Sequence, residues 1–298
     1  MEPKVSIIIT TFNRSSVLPN AVISVFNQTY SDFELLIVDD CSEDDTRRVI
    51  DGFDDSKIRY FRTSVNSGSS VARNLGINNA RGKYIVFLDD DNELDPEFLA
   101  ETVTALEAST DFAVNTGRLI KHDGFIDYAP AFRQTGHGFT AIDWGWLIKR
   151  EVFDKIRYDP EMKGDDDADF GIQFYKYFSS TPVDKPLQTA NAKGMSVTFA
   201  SKNRIESLRK FVAKNWKEYE KAGPKDLSFL YRFTARNLYQ AGLKREAIQY
   251  FKRAFLVYKN RRTLIHYLVS FISYGAYYKL MRLEERYYSR LRRKTYGI

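Results

Sequence analysis

Short apolar runs and helically spaced apolar residues take turns along the first hundred positions of the chain. The runs "VSIIITTF" (5–12), "FELLIVDD" (33–40), "IRYFR" (58–62) and "YIVFL" (84–88) are too short for helices. Their apolar content predicts strands, the last of them buried on both faces. Between them, "SSVLPNAVISVFNQ" (15–28), "CSEDDTRRVIDGF" (41–53) and "SGSSVARNLGINNA" (67–80) predict helices. In the second of these, Ser42 is the expected N-cap, with Asp45 three residues later in a capping box. Strand and helix alternating at this spacing imply right-handed crossovers and a parallel, doubly wound α/β sheet.

Beyond the fourth strand, "ELDPEFLAETVTAL" (93–106) predicts a helix, with Asp95 as N-cap, Pro96 at the first helical position and Glu97 at the positive end of the dipole. After residue 110 the pattern loosens. "FAVNTGRLIKHDGFIDYAP" (112–130) predicts two strands around an Asp123-Gly124 turn. "AIDWGWLIKREVFDKI" (141–156) leads into a short helix, and "MKGDDDADFGIQFYKYF" (162–178) opens another on an acidic cluster. From about Ile205 the chain reads as helical, aromatic and basic. There "ARNLYQAGLKREAIQYFKRAF" (235–255) has the spacing of one tetratricopeptide-like helix pair with Gly242 at its turn. One such unit cannot build a solenoid, so the expectation is a helical appendage.

Charge sharpens this division. The net +6 of the 298 residues conceals 21 Lys+Arg against 32 Asp+Glu in residues 1–200 (−11), and 24 against 7 in 201–298 (+17). The acidic part is a poor partner for nucleic acid, and the basic part must face an anion or water. One cysteine, Cys41, excludes an intrachain disulfide and suits a reducing compartment. The chain enters a strand at once, without the basic region and cleavage site of a secretion leader, so a cytoplasmic location is expected.

The candidate chemistry lies where strands end. No G-x-G-x-x-G follows the first strand and no P-loop motif is present, which removes the usual signs of dinucleotide and P-loop folds. Instead, two strands run into carboxylates: Asp39 and Asp40, then Asp89, Asp90 and Asp91. On extended chain Asp89 and Asp91 share one side and Asp90 turns to the other. Two carboxylates on one side suit Mg²⁺ or Mn²⁺, while a solvated acidic loop ahead of a helix is the plainer explanation.

Taken together and in order, "VSIIITTFNR", "FELLIVDDCSEDDT", "NSGSSVARNLGINNARGKYIVFLDDDN" and "GDDDADF" resemble the family 2 glycosyltransferases across roughly residues 4–180. The resemblance implies a GT-A fold: a doubly wound, mainly parallel sheet with a C-terminal all-helical extension. Residues 1–204 would be catalytic, with the nucleotide-sugar half at about 1–110 and the acceptor half at about 111–204, and 205–298 would form the extension. It implies that Thr10, Thr11 and Phe12 flank the nucleotide, that Asp40 accepts a hydrogen bond from the base, and that Asp90 belongs to the nucleotide-binding set. Asp89 and Asp91 match the D-x-D motif that holds Mn²⁺ or Mg²⁺ against a nucleotide-sugar diphosphate, with a UDP-sugar favoured and a GDP-sugar as the other option. Asp167 falls at the catalytic base, with Asp166 as the neighbouring choice.

Arg73 and Arg14 are candidate phosphate ligands, against solvated helix and loop arginines. Trp144 and Trp146 could stack on a sugar face or fill a core. Many relatives place a histidine after the acidic run, and "LQTANAKGMSVTF" (187–199) has none, which implies either weaker metal binding or a site completed by water and phosphate. The Q-x-x-R-W signature of processive synthases and long apolar spans are absent, which favours single-sugar transfer, and the resemblance implies inversion. The acceptor would be a glycan or a lipid-linked glycan. The aromatic and basic stretch 261–298 would meet an anionic membrane surface peripherally. A sugar-nucleotide pyrophosphorylase and a non-catalytic scaffold working through its basic helices are the competing expectations.

Overall fold

The computed structural model describes residues 2–122, 125–129, 131, 145–191, 202–272, 275–277, 279 and 283, with the backbone alone at 122, 125–129 and 202–204. Trp144, the Asp123-Gly124 turn and most of the basic stretch after 272 lie outside the described residues. The chain divides into two compact units, residues 1–133 with 141–193 and residues 134–140 with 194–298.

The first unit contains β1 (Val5–Thr11), α1 (Leu18–Phe26), β2 (Phe33–Asp39), α2 (Thr46–Asp51), β3 (Ile58–Arg62), α3 (Ser69–Asn79) and β4 (Tyr84–Asp89). It continues with β5 (Glu93–Leu94), α4 (Phe98–Glu107), β6 (Ala113–His122), β7 (Phe125–Ala129), β8 (Leu147–Lys149), α5 (Val152–Lys155), α6 (Asp166–Tyr177) and β9 (Ser180–Asn191). The strands make one mainly parallel sheet in the order β3-β2-β1-β4-β8-β6-β9-β5, with β7 beside β6. Pairing is parallel from β3 to β4 and between β6 and β9, and antiparallel where β8, β5 and β7 join.

Successive strand residues point to opposite faces, so the apolar runs build two cores at once. Ile7, Ile9, Leu35, Ile37, Val86 and Leu88 pack with α1 and α4 on one face. Ile8, Leu36, Val38, Ile85 and Phe87 pack with α3, α5 and α6 on the other. The helix α3 lies so close to β1 that a Cβ on Gly76 would stand 2.6 Å from the Ile8 side chain.

Two helix starts differ from the sequence reading. The α2 N-cap is Asp45, and Ser42 is spent elsewhere: its hydroxyl accepts from the Asn13 N–H at 2.8 Å and its own N–H donates to Asp39 at 2.7 Å. Helix α4 begins at Phe98 because Asp95 accepts from the Glu97 N–H two residues on, which is a turn in place of a cap. Strands β5 and β9 escape a periodicity reading because long-range pairing, not apolar content, creates them.

The second unit contains α7 (Lys202–Ala222), α8 (Pro224–Gln240), α9 (Lys244–Val257) and α10 (Arg261–Ser270). Gly242, at φ +80°, makes the turn between α8 and α9, as the sequence spacing implies.

Candidate active site

In the order β3-β2-β1-β4 all four strands run parallel, and the connections turn from one side of β1 to the other, from β2 and β3 to β4. Open parallel sheets part their connections at such a point and leave a crevice beyond the strand ends. The register puts Thr10 beside Asp89 and Thr11 beside Asp39 at that crevice. Thr11 is buried, and the next residue, Phe12, is exposed.

Strand β4 stops at Asp89, so the side-to-side alternation expected for Asp89–Asp91 does not continue through the turn. Arg14 approaches both Asp90 (3.9 Å) and Asp91 (3.2 Å), whereas Asp89 turns to Arg73 at 3.2 Å. Two arginines from elsewhere in the chain thus meet the repulsion within the acidic run. Asp90 is the most buried of the three, and burial pushes its carboxyl up to about 7 against the pull of the Thr11 hydroxyl and of Arg14. The turn is held from β9: Asn191 donates its side-chain N–H to the Asp91 carbonyl at 2.8 Å and its backbone N–H to Asn92 at 3.1 Å.

One face of α3 organises the opposite wall. Residues 69, 70, 73 and 74 recur at helical spacing and all reach toward the segment before and within α6. The Ser69 hydroxyl donates to Asp166 at 2.8 Å, the Ser70 hydroxyl to the Met162 carbonyl at 3.3 Å, and Asn74 to the Tyr158 carbonyl at 2.8 Å. Arg73 donates to Asp166 and to Asp89, stands 3.4 Å from Asp167, and lies 5.2 Å over the Tyr158 ring. Burial opposes its charge, but Asp167, Asp166 and Asp89 outweigh that effect and hold its pKa well above the ordinary value. The solvated arginine expected as the plainer alternative is therefore absent: Arg73 is buried and joins β4 to α6. Sequence reasoning missed Ser69, Asn92 and Asn191, whose roles depend on partners about a hundred residues away.

Helix α6 begins at Asp166 with Asp165 at its N-cap. Asp165 and Asp169 are buried, and Asp166 is turned into Arg73 and Ser69. Asp167 keeps 28% of its side chain exposed, against 6% for Asp166. It is the carboxylate of this run best presented to an incoming group. Asp40 accepts from Thr63 (2.8 Å) and the Ser67 N–H (2.9 Å) on one oxygen and from the Gly68 N–H (2.6 Å) on the other. It fixes the loop that enters α3, with Gly68 at φ +92°. Trp146 is buried edge-on to Phe174 and Tyr175, a core position rather than a sugar platform.

Asp89 and Asp91 offer hard oxygens, the donor type that Mg²⁺ and Mn²⁺ take. Among the described residues no group of three or more His, Cys, Asp or Glu could hold a metal ion alone. A cation held by this pair would draw its remaining ligands from diphosphate and water, and Arg14 and Arg73 balance part of the pair's charge.

Residues 6–157 match the family described as Glycosyl transferase family 2. Over 95 residues the chain is 41% identical to the GalNAc(5)-diNAcBac-PP-undecaprenol beta-1,3-glucosyltransferase of Campylobacter jejuni, a match covering 31% of this chain and 31% of that relative's length. The crystal structure of S. aureus TarS 1–349 with UDP-GlcNAc superposes with a TM-score of 0.66 at 16% identity, covering 87% of this chain and 82% of that one. The mannosyltransferase PcManGT of Pyrobaculum calidifontis, solved with GDP-Man and Mn²⁺, does so with a TM-score of 0.59 at 16% identity, covering 100% of this chain and 88% of that one. These likenesses carry the fold, which is of the GT-A type.

Proposed function

The chain belongs to glycosyl transferase family 2, and on that footing we propose that it moves a single sugar from a nucleotide diphosphate sugar to an acceptor hydroxyl with inversion. The observation that carries this reading is the junction at Arg73, where the acidic turn after β4 and the first turn of α6 face one crevice. In this reading residues 1–204 are the catalytic domain and 205–298 its extension.

Thr10, Thr11 and Phe12 line the nucleotide's berth. Asp40 accepts from the base through Oδ2, which has one donor from its own chain and room for a second. Asp90 faces the nucleotide beside Arg14. Asp89 and Asp91 hold Mn²⁺ or Mg²⁺, which when bound supplies positive charge where the leaving diphosphate gains negative charge. Arg14 gives the same oxygens a second positive charge. Asp167 takes the proton from the acceptor hydroxyl as its oxygen bonds to the anomeric carbon and the bond to the diphosphate breaks. Asp166, which Arg73 and Ser69 engage, is the neighbouring choice for that base.

The donor is a UDP-sugar by preference, with a GDP-sugar as the other option. TarS was solved with UDP-GlcNAc and PcManGT with GDP-Man and Mn²⁺, which supports a nucleotide sugar and a cation without choosing between bases. The acceptor is a glycan or a lipid-linked glycan, an idea that the undecaprenol-linked substrate named for the Campylobacter relative supports. The protein acts from the cytoplasm, attached peripherally through residues 261–298. Turnover of UDP- and GDP-sugars with and without Mn²⁺ tests the reading. Release of nucleoside diphosphate that needs Mn²⁺ is expected, and no release from any donor in either condition would sink it.

A further inference from the structure

Helix α10 is built inside out. Its polar residues Thr263, His266 and Ser270 are buried, while Leu264, Ile265 and Leu268, followed by Phe271 and Ile272, are 36% to 68% exposed. The exposed set recurs at i, i+1, i+4, i+7 and i+8, a single helical stripe. The buried set is matched to its surroundings. Thr263 completes a capping box with Asn260, the His266 ring stacks on Phe251 at 6.0 Å, and the Ser270 carbonyl accepts from the Tyr239 hydroxyl at 3.0 Å. These contacts fix the rotation of α10, so the apolar stripe cannot roll inward. It adjoins an aromatic row, Phe255, Tyr267 and Phe271, with ring centroids 6.4 and 5.1 Å apart.

Three occupants could cover such a stripe, and charge selects among them. Lys259, Arg261 and Arg262 are exposed at the start of the helix, and residues 201–298 hold 24 Lys+Arg against 7 Asp+Glu. A second copy would bring the same excess of cations to the same place, and like charge opposes that pairing. A protein partner would need an apolar groove rimmed with acid. An anionic bilayer supplies both in one surface: acyl chains for the stripe and its phenylalanine, the headgroup level for tyrosine, and negative charge for the cations. Among the described residues no helix is long and apolar enough to cross a membrane, which leaves a helix lying in the surface plane.

We infer that the Leu264–Ile272 face of α10 inserts into the anionic membrane surface, with Arg261 and Arg262 at the headgroups. This deepens the reading of peripheral attachment by naming the inserted face, and binding to vesicles does not depend on sugar transfer.

The full chain can be co-sedimented with phosphatidylglycerol–phosphatidylcholine vesicles and with phosphatidylcholine alone. Binding to the mixed vesicles is expected, weakened by salt, with little to the neutral ones. The variant L268E/F271E should bind at least tenfold more weakly. Both side chains are half-exposed, so its far-UV melt should match that of the parent chain. A nitroxide- or NBD-labelled Leu268→Cys, in a Cys41→Ser background, should report an apolar environment only on the mixed vesicles. If the parent chain binds but L268E/F271E binds equally well, the inserted face is wrong and attachment lies elsewhere in 261–298. If the parent chain binds no vesicle, peripheral attachment fails with it. A dimer in light scattering that L268E/F271E dissolves, without a change in vesicle binding, would give the stripe to a second copy and overturn the inference.

Discussion

The two ends of the central strands use the same materials to opposite ends. At the amino-terminal edge one carboxylate, Glu34, is buried among the Ser6 hydroxyl (2.7 Å), the Arg59 guanidinium (2.8 Å) and the Arg81 N–H (2.7 Å). Burial alone would raise its pKa, but those three donors more than offset it and leave it below the ordinary value. At the carboxyl edge, Asp89, Asp90, Asp91, Asp166 and Asp167 share two arginines, Arg14 and Arg73. A buried carboxylate met by several donors of its own chain serves stability. A partly exposed gathering of carboxylates at the strand ends has capacity for a ligand that brings positive charge or takes up a proton.

The comparison predicts that changes at the carboxyl edge cost activity and changes at the amino-terminal edge cost stability. The largest effect should come from Asp91→Asn, with transfer falling below detection at saturating Mn²⁺ and no loss in melting temperature, because a repelling charge has gone. Asp167→Asn should lower kcat by about two to four orders of magnitude while nucleotide binding, read by calorimetry, survives. If Asp166→Asn did this instead and Asp167→Asn were mild, the base would be one residue earlier. Glu34→Ala should lower unfolding free energy in urea by about 1–3 kcal/mol, by stripping partners from buried donors, with kcat per folded molecule unchanged. A kcat loss there would erase the distinction between the two edges.

The smallest effect concerns pH. Because the folded Glu34 pKa lies below its ordinary value of 4.5, its contribution is full above that value and is lost as pH falls through the folded one. The stability gap between the parent chain and Glu34→Gln should therefore narrow on acidification below about 4.5. A gap that widened would reverse the assigned sign.

Much of this was legible in one dimension. The apolar runs that became β1, β2 and β4 carry their own evidence, since each is short, buried on both faces and closed by polar residues. Asp89 and Asp91 could be singled out because they stand where a strand ends, whereas the spacing of the later acidic run left its carboxylates equal and only the family resemblance favoured Asp167. Local chemistry went astray where a side chain had a better partner far along the chain, as with Ser42, or closed a turn in place of a cap, as with Asp95. The fate of Arg73 was out of reach, because nothing near it in sequence announces carboxylates 16 and 93 positions away. The inversion of α10 was hidden for a related reason. Its pattern of apolar and polar residues defines a stripe but not which side of the helix meets its neighbours.

The span between Arg73 and Asp166 also sets a timetable. At about 5–20 residues per second, a ribosome delivers Asp166 some 5–20 s after Arg73. During that interval a nascent chain can zip β3, β2, β1 and β4 together, yet α3 carries a cation with only Asp89 to receive it. Sinking an arginine into the protein before its counter-charges arrive is costly, so α3 should settle only when α6 has been made. Catalytic competence is then the last thing the domain acquires. Pulsed hydrogen exchange during refolding would show α3 and α6 gaining protection together, after the strands, and protection of α3 along with β1 would contradict that order.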